Sequence, residues 1–101
     1  MTSNPVSNRL LSNEQLDAAL ADLGGWALAD NRLYKQFGFD EFAQAIAFMT
    51  EVAFTAERLA HHPNWSNAYT KVDVELWSHD LGGVSALCVE LAQAMNRVAG
   101  R

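Results

Sequence analysis

The chain has 101 residues, half of them apolar, and a formal net charge of −5. That length allows one domain with one core and leaves no room for a second. The acidic balance removes a domain-wide basic footprint for nucleic acid and a polybasic patch for anionic lipid, so neither direct nucleic-acid binding nor a membrane is expected.

The start, MTSNPVSNRLL, lacks the basic segment and apolar block of a signal peptide. No apolar run approaches the length of a bilayer span. A single cysteine, Cys88, excludes an internal disulfide and suits a reducing compartment. The expectation is a cytoplasmic protein with a loose tail over residues 1–11 and one domain over 12–101.

Ser12 opens the first helix, with Gln15 three positions on in capping-box spacing. Leu16, Ala19, Leu20 and Leu23 recur at helical spacing until Gly24-Gly25 stops them. The stretch WALADNRLYKQFGF reads as a hairpin turning at Asp30-Asn31. Asp40 is the expected N-cap of the longest helix, which runs to His61. Its stripe of Phe42, Ile46, Met49, Ala53, Ala56 and Ala60, widened by Phe48, Val52 and Leu59, reads as core.

Residues 65–77 are strand-like, with Val72, Val74 and Leu76 alternating with Lys71, Asp73 and Glu75. One long bent strand and two strands meeting near residue 70 both fit. After Gly82-Gly83, Ser85 caps a last helix with Val84, Leu87, Cys88, Leu91, Met95 and Val98 on one face. Cys88 on that stripe is expected as a packing residue, not a nucleophile. The order of helix, hairpin, helix, strands and helix is α+β, with helices against one face of an antiparallel sheet. The open edges of so small a sheet invite pairing between subunits.

Three histidines carry the candidate chemistry: His61, His62 and His79. Only their unperturbed pKa values lie near neutrality. Pro63 disfavours helical geometry at His62, so the helix should end there, with His61 in its last turn. The helix terminus and Glu57, four residues earlier on the same face, both favour a cationic His61. His79 follows the last strand pattern. A strand running back beside the helix end would bring the three rings together, which periodicity does not show. A zinc site is disfavoured, because adjacent histidines on a helix point roughly 100° apart. Serine-nucleophile chemistry is weaker still, for want of a nucleophile elbow.

The sequence HHP-x-W over His61, His62, Pro63 and Trp65 is followed by Asn67, Tyr69, Lys71, Val72 and Val74 in an N-x-Y-x-K-V-x-V pattern. His79 comes seventeen residues after His62. Together these resemble the pterin-4a-carbinolamine dehydratase family, loosely from the Trp26 hairpin to the last helix. The resemblance implies three helices packed on one face of a four-stranded antiparallel sheet, assembled as a homodimer or homotetramer. It implies loss of water from a 4a-hydroxy-tetrahydropterin to give the quinonoid dihydropterin, a step in tetrahydrobiopterin recycling, with no cofactor and no metal. Some animal relatives also act as transcriptional coactivators, so a non-catalytic partner-binding module is the alternative. The chain departs from the family at Leu87 and Cys88, where members often carry a basic residue and then an acid.

Proton transfer to a departing hydroxyl and away from a ring nitrogen suits imidazoles. The expected catalytic groups are His61 as acid, His79 as its partner or the base, His62 as holder of substrate, and Glu57 as orienter. The flat pterin is expected between residues 61–63 and 78–81, where backbone at a helix end and a strand end is free to pair with it. His61, His62, Pro63, Trp65, Ser78, His79, Asp80 and Leu81 are the expected contacts.

Overall fold

The structure, a computed structural model, describes residues 8–100. Its elements are α1 (Asn13–Asp22), β1 (Ala27–Ala29), β2 (Arg32–Gly38), α2 (Phe42–Leu59), β3 (Asn64–Ala68), β4 (Lys71–Leu76) and α3 (Ala86–Ala99). The four strands form one antiparallel sheet in the order β1-β2-β4-β3. This is the expected α+β architecture of three helices and a four-stranded antiparallel sheet.

Strand alternation decides the two faces. Leu33, Phe37, Val72, Val74 and Leu76 point inward and are buried with Leu16, Phe48, Val52, Leu91 and Met95 from the three helices. The other face carries Gln36 and Asp73, hydrogen-bonded to each other at 2.9 Å, and the Arg32–Glu75 ion pair at 2.9 Å. One face is therefore apolar and covered, the other polar and wet.

Local chemistry explains the turns. Ser12 and Gln15 form the expected reciprocal capping box. Asp30 and Asn31 both adopt positive φ, 51° and 61°, as a tight hairpin turn requires and as their short polar side chains tolerate. Between β3 and β4 the chain turns at Tyr69, φ 54°, so the segment is two strands. Asn67 Nδ2 clasps that turn by donating to the carbonyls of Tyr69 and Lys71 at 3.0 and 2.9 Å.

Three expectations need correction. Helix α2 is capped at Glu41, one residue later than Asp40, and Gln44 Oε1 accepts from both amides at 2.9 and 3.0 Å. Its buried stripe is Ala45, Phe48, Val52, Ala56 and Leu59, while Phe42 and Ile46 are 53% and 40% exposed. Ile46 follows Ala45 by one residue and so lies about 100° further round the helix, away from the sheet. Finally, the expected loose tail over 1–11 is in part held. Leu10 bridges Ser85, Leu11 N donates to Val84 O, and Ala86 N donates to Arg9 O. Residues 1–7 lie outside the described residues.

No helix among the described residues is long and apolar enough to cross a membrane.

Candidate active site

The end of α2 sets the site. Ala60 takes the left-handed conformation, φ 53°. Its amide reaches Glu57 O at 3.1 Å, and the next amide, His61, reaches Ala56 O at 3.0 Å. This pair of bonds around a left-handed residue is a Schellman closure. It reverses the chain one residue before the histidines, so His61 is not in the last helical turn. Its ring turns inward instead and is 9% exposed.

His61 Nε2 lies 3.2 Å from Cys88 Sγ, and Cys88 Sγ lies 3.4 Å from Ser85 Oγ. Burial pushes the His61 pKa down, and the neighbouring His62 and His79 push it further down. His61 therefore favours its neutral form, the opposite of the cationic state expected from a helix end and Glu57. Burial likewise pushes the Cys88 thiol up, against the favourable hydrogen bond from Ser85. Two neutral groups face each other. Cys88 is fully buried, as its helical stripe predicts.

Glu57 pairs with His62, not His61. Its Oε1 accepts from His62 Nε2 at 2.9 Å, and both side chains are largely exposed. The left-handed residue at 60 breaks the i, i+4 geometry on which the His61 pairing rested.

His79 arrives from the other side. After β4 the chain forms a tight loop closed by Ser78 N to Gly83 O and Gly82 N to Ser78 O, both 2.8 Å. Gly82 takes φ 75°, a conformation that favours glycine. The His79 ring stacks on Trp77 with centroids 4.3 Å apart, and the Arg32 guanidinium lies over the Trp77 ring, 3.9 Å from its centroid. Asn64 Nδ2 is 3.5 Å from His79 Nε2.

Between these elements lies a cleft of about 330 Å³ lined by Asn8, Ala60, His61, His62, Pro63, Asn64, Trp77, Ser78, His79 and Asp80. The structure thus brings together six of the nine residues singled out in the sequence. Trp65, Leu81 and Glu57 do not line it. Trp65 packs against the core from β3, opposite Val74. Leu81 contributes its amide to Ser78 Oγ at 3.2 Å. Asn64 and Trp77 were missed: each is an unremarked neighbour of a histidine motif, and only strand pairing carries them to the rim. Asn8 is reached because its side chain accepts from the Leu87 amide at 3.3 Å.

A second depression, about 390 Å³, lies at the other end of the strands and is lined by Phe39, Gln44, Phe48, Glu51 and Val98 among others. It contains no imidazole. The histidine cleft is therefore the better candidate on chemistry, although it is slightly smaller. Among the described residues no three His, Cys, Asp or Glu side chains are grouped to hold a metal ion.

Comparison with known proteins agrees with the motif. A family model described as pterin 4 alpha carbinolamine dehydratase matches residues 9–98. A Mesorhizobium japonicum protein named "Putative pterin-4-alpha-carbinolamine dehydratase" is 50% identical over 97 residues, 94% of this chain and 99% of that one. A Rhizobium etli protein of the same name is 48% identical, covering 95% of this chain and 97% of its own. The crystal structure of a transcriptional coactivator/pterin dehydratase from Brucella melitensis superposes with TM-score 0.88 at 39% identity, covering 91% of this chain and all of that one. A pterin dehydratase-like protein described as a RuBisCO assembly factor in the alpha-carboxysome superposes with TM-score 0.61 at 25% identity, over 74% of this chain and 90% of its own. With the family match covering nearly the whole described chain, this protein belongs to the pterin 4 alpha carbinolamine dehydratase family.

Proposed function

We propose that the protein is a hydro-lyase that removes water from 4a-hydroxytetrahydrobiopterin or a close pterin analogue, giving the quinonoid dihydropterin. The observation that carries this reading is the convergence of His61, His62 and His79, from two distant segments, on one cleft. Family membership supports it.

The chemistry requires one proton for the departing C4a hydroxyl and removal of one proton from N5, as the N5 lone pair forms the C4a=N5 bond. Water leaves far more readily than hydroxide, so the acid is essential. Each such transfer by a positioned imidazole is worth about 100- to 10,000-fold. The exposed rings, His62 held by Glu57 and His79 braced by Trp77, can exchange protons with solvent between turnovers. His61, buried and neutral, gives the reacting edge of the pterin a fixed hydrogen-bonding partner. Asp80 and the backbone beside Pro63 and Ser78 meet the polar pyrimidine edge. No cofactor or metal enters this scheme. We take the working form to be a cytoplasmic homodimer or homotetramer, as the family resemblance implies.

The direct test is the absorbance decay of synthetic 4a-hydroxytetrahydropterin with and without the protein. Unchanged decay at micromolar protein would reject the reading.

A second reading, partner binding on the same fold, is favoured by one feature. Phe42, Ile46 and Phe54 stand 53%, 40% and 74% exposed on α2. Apolar exposure on one helix suits a protein interface. Replacing the three histidines separates the readings: partner capture survives, catalysis does not.

A further inference from the structure

We propose that Cys88 is a positioning residue for the cleft, donating its S–H to His61 Nε2 so that His61 offers a Nδ1–H to the substrate. The kinetic consequence rests on the dehydratase reading; the direction of the hydrogen bond does not.

Ser85, Cys88 and His61 form a short buried chain, with Ser85 and Cys88 at zero exposure and His61 at 9%. Oγ to Sγ is 3.4 Å and Sγ to Nε2 is 3.2 Å. Among the described residues Cys88 Sγ is the hydrogen-bond partner of the Ser85 hydroxyl. If His61 Nε2 carried a hydrogen and donated to sulfur, one hydrogen of the chain, the thiol's or the Ser85 hydroxyl's, would be left buried with no acceptor. Buried donors are rarely left so. In the other direction every hydrogen has a place. Ser85 O–H donates to Sγ, Cys88 S–H donates to the Nε2 lone pair, and the His61 proton sits on Nδ1. The downward push on His61 and the upward push on Cys88 agree with this neutral chain and argue against a thiolate–imidazolium pair.

With Nε2 occupied, Nδ1 is the ring nitrogen left for a ligand. A Nδ1–H recognises an oxygen or an unprotonated nitrogen, not a ring N–H. His61 is thereby matched to an oxygen of the substrate as a hydrogen-bond donor and not as the acid; the proton for the departing hydroxyl and the removal of the N5 proton fall to His62 and His79. A second-layer group that fixes a histidine tautomer commonly matters to activity by tenfold or more.

Two measurements test this. Long-range proton–nitrogen NMR of the free protein above neutrality reads the His61 tautomer directly. The expected result is Nδ1–H in the wild type, a shift toward Nε2–H in Cys88→Ala, and return to Nδ1–H in Cys88→Ser, whose hydroxyl can donate as the thiol does. A wild-type ring protonated at Nε2 overturns the proposal without any assay. In the carbinolamine assay Cys88→Ala should lose roughly tenfold in kcat with Cys88→Ser restoring most of it. Equal kcat in all three proteins would overturn the positioning role. Failure of the wild type to turn over carbinolamine would instead reject the dehydratase reading and leave the tautomer result standing.

Discussion

Glu57 holds His62 across 2.9 Å, while His61, one residue nearer in sequence, turns away into the core. The left-handed Ala60 is the cause. It moves the chain off the helical track, so the carboxylate meets the fifth residue along and not the fourth. Because both partners are exposed, the pair contributes little to folding. Glu57→Gln should change unfolding free energy by less than about 0.5 kcal/mol. It should still lower kcat several-fold if His62 moves a proton. Thermal melts and steady-state kinetics on one preparation check both halves.

Ala60 itself predicts a stability order. A left-handed alanine costs about 1–2 kcal/mol, and glycine is the usual residue after a helix of this closure. Ala60→Gly should therefore be neutral or stabilising by up to about 1 kcal/mol, since relief of strain exceeds the added freedom of the unfolded chain. Ala60→Val should destabilise by more than about 1 kcal/mol, because a β-branched side chain tolerates this conformation poorly. Urea unfolding of the three proteins gives the order.

His61 predicts a pH dependence. Burial, with His62 and His79 nearby, depresses its pKa in the folded protein. The unfolded chain therefore takes up a proton there at higher pH than the folded one. Stability from this position is complete above about pH 6.5 and is lost as pH falls from there through the depressed folded value. Urea denaturation from roughly pH 8 down to roughly pH 5, the range in which histidines titrate, should show wild-type stability falling more steeply than that of His61→Gln. Parallel curves would contradict the burial of an imidazole at this position.

Trp77 and His79, stacked at 4.3 Å, predict a graded series. His79→Ala should lower kcat by about 100-fold or more with little change in melting temperature, since the ring is exposed and its proton transfer is lost. Trp77→Ala should cost less, perceptible mainly in kcat, because it frees the ring without removing it. Trp77→Phe should recover most of the loss by keeping an aromatic platform. A loss in Trp77→Ala equal to that in His79→Ala would mean the tryptophan contacts substrate itself.

Much of the fold was legible because its signals are local. The Ser12–Gln15 box lies within one helical turn, and Asp30-Asn31 accepts positive φ through its own side chains. The break between β3 and β4 was not decidable, because the Asn67 clasp that supports Tyr69 exists only once the chain has folded back. The burial of α2 was misjudged for a related reason. Phe42, Ile46 and Phe48 are equally apolar as letters, and the position of the sheet selects the face through Phe48. The three histidines and Pro63 stood out through spacing, whereas Asn64 and Trp77 became visible only when β4 was paired with β3 and ended beside α2.

Residue type and spacing alone were enough for the helices, the hairpin, the family and the identity of the three imidazoles, since propensity, capping and motif spacing act over a few residues. The state and partner of each imidazole were not. His61 became buried and neutral beside Cys88, His62 took Glu57, and His79 found Trp77 through contacts that include a separation of 27 residues. Burial and charge proximity are properties of space, and a single left-handed residue at position 60 was sufficient to reassign them.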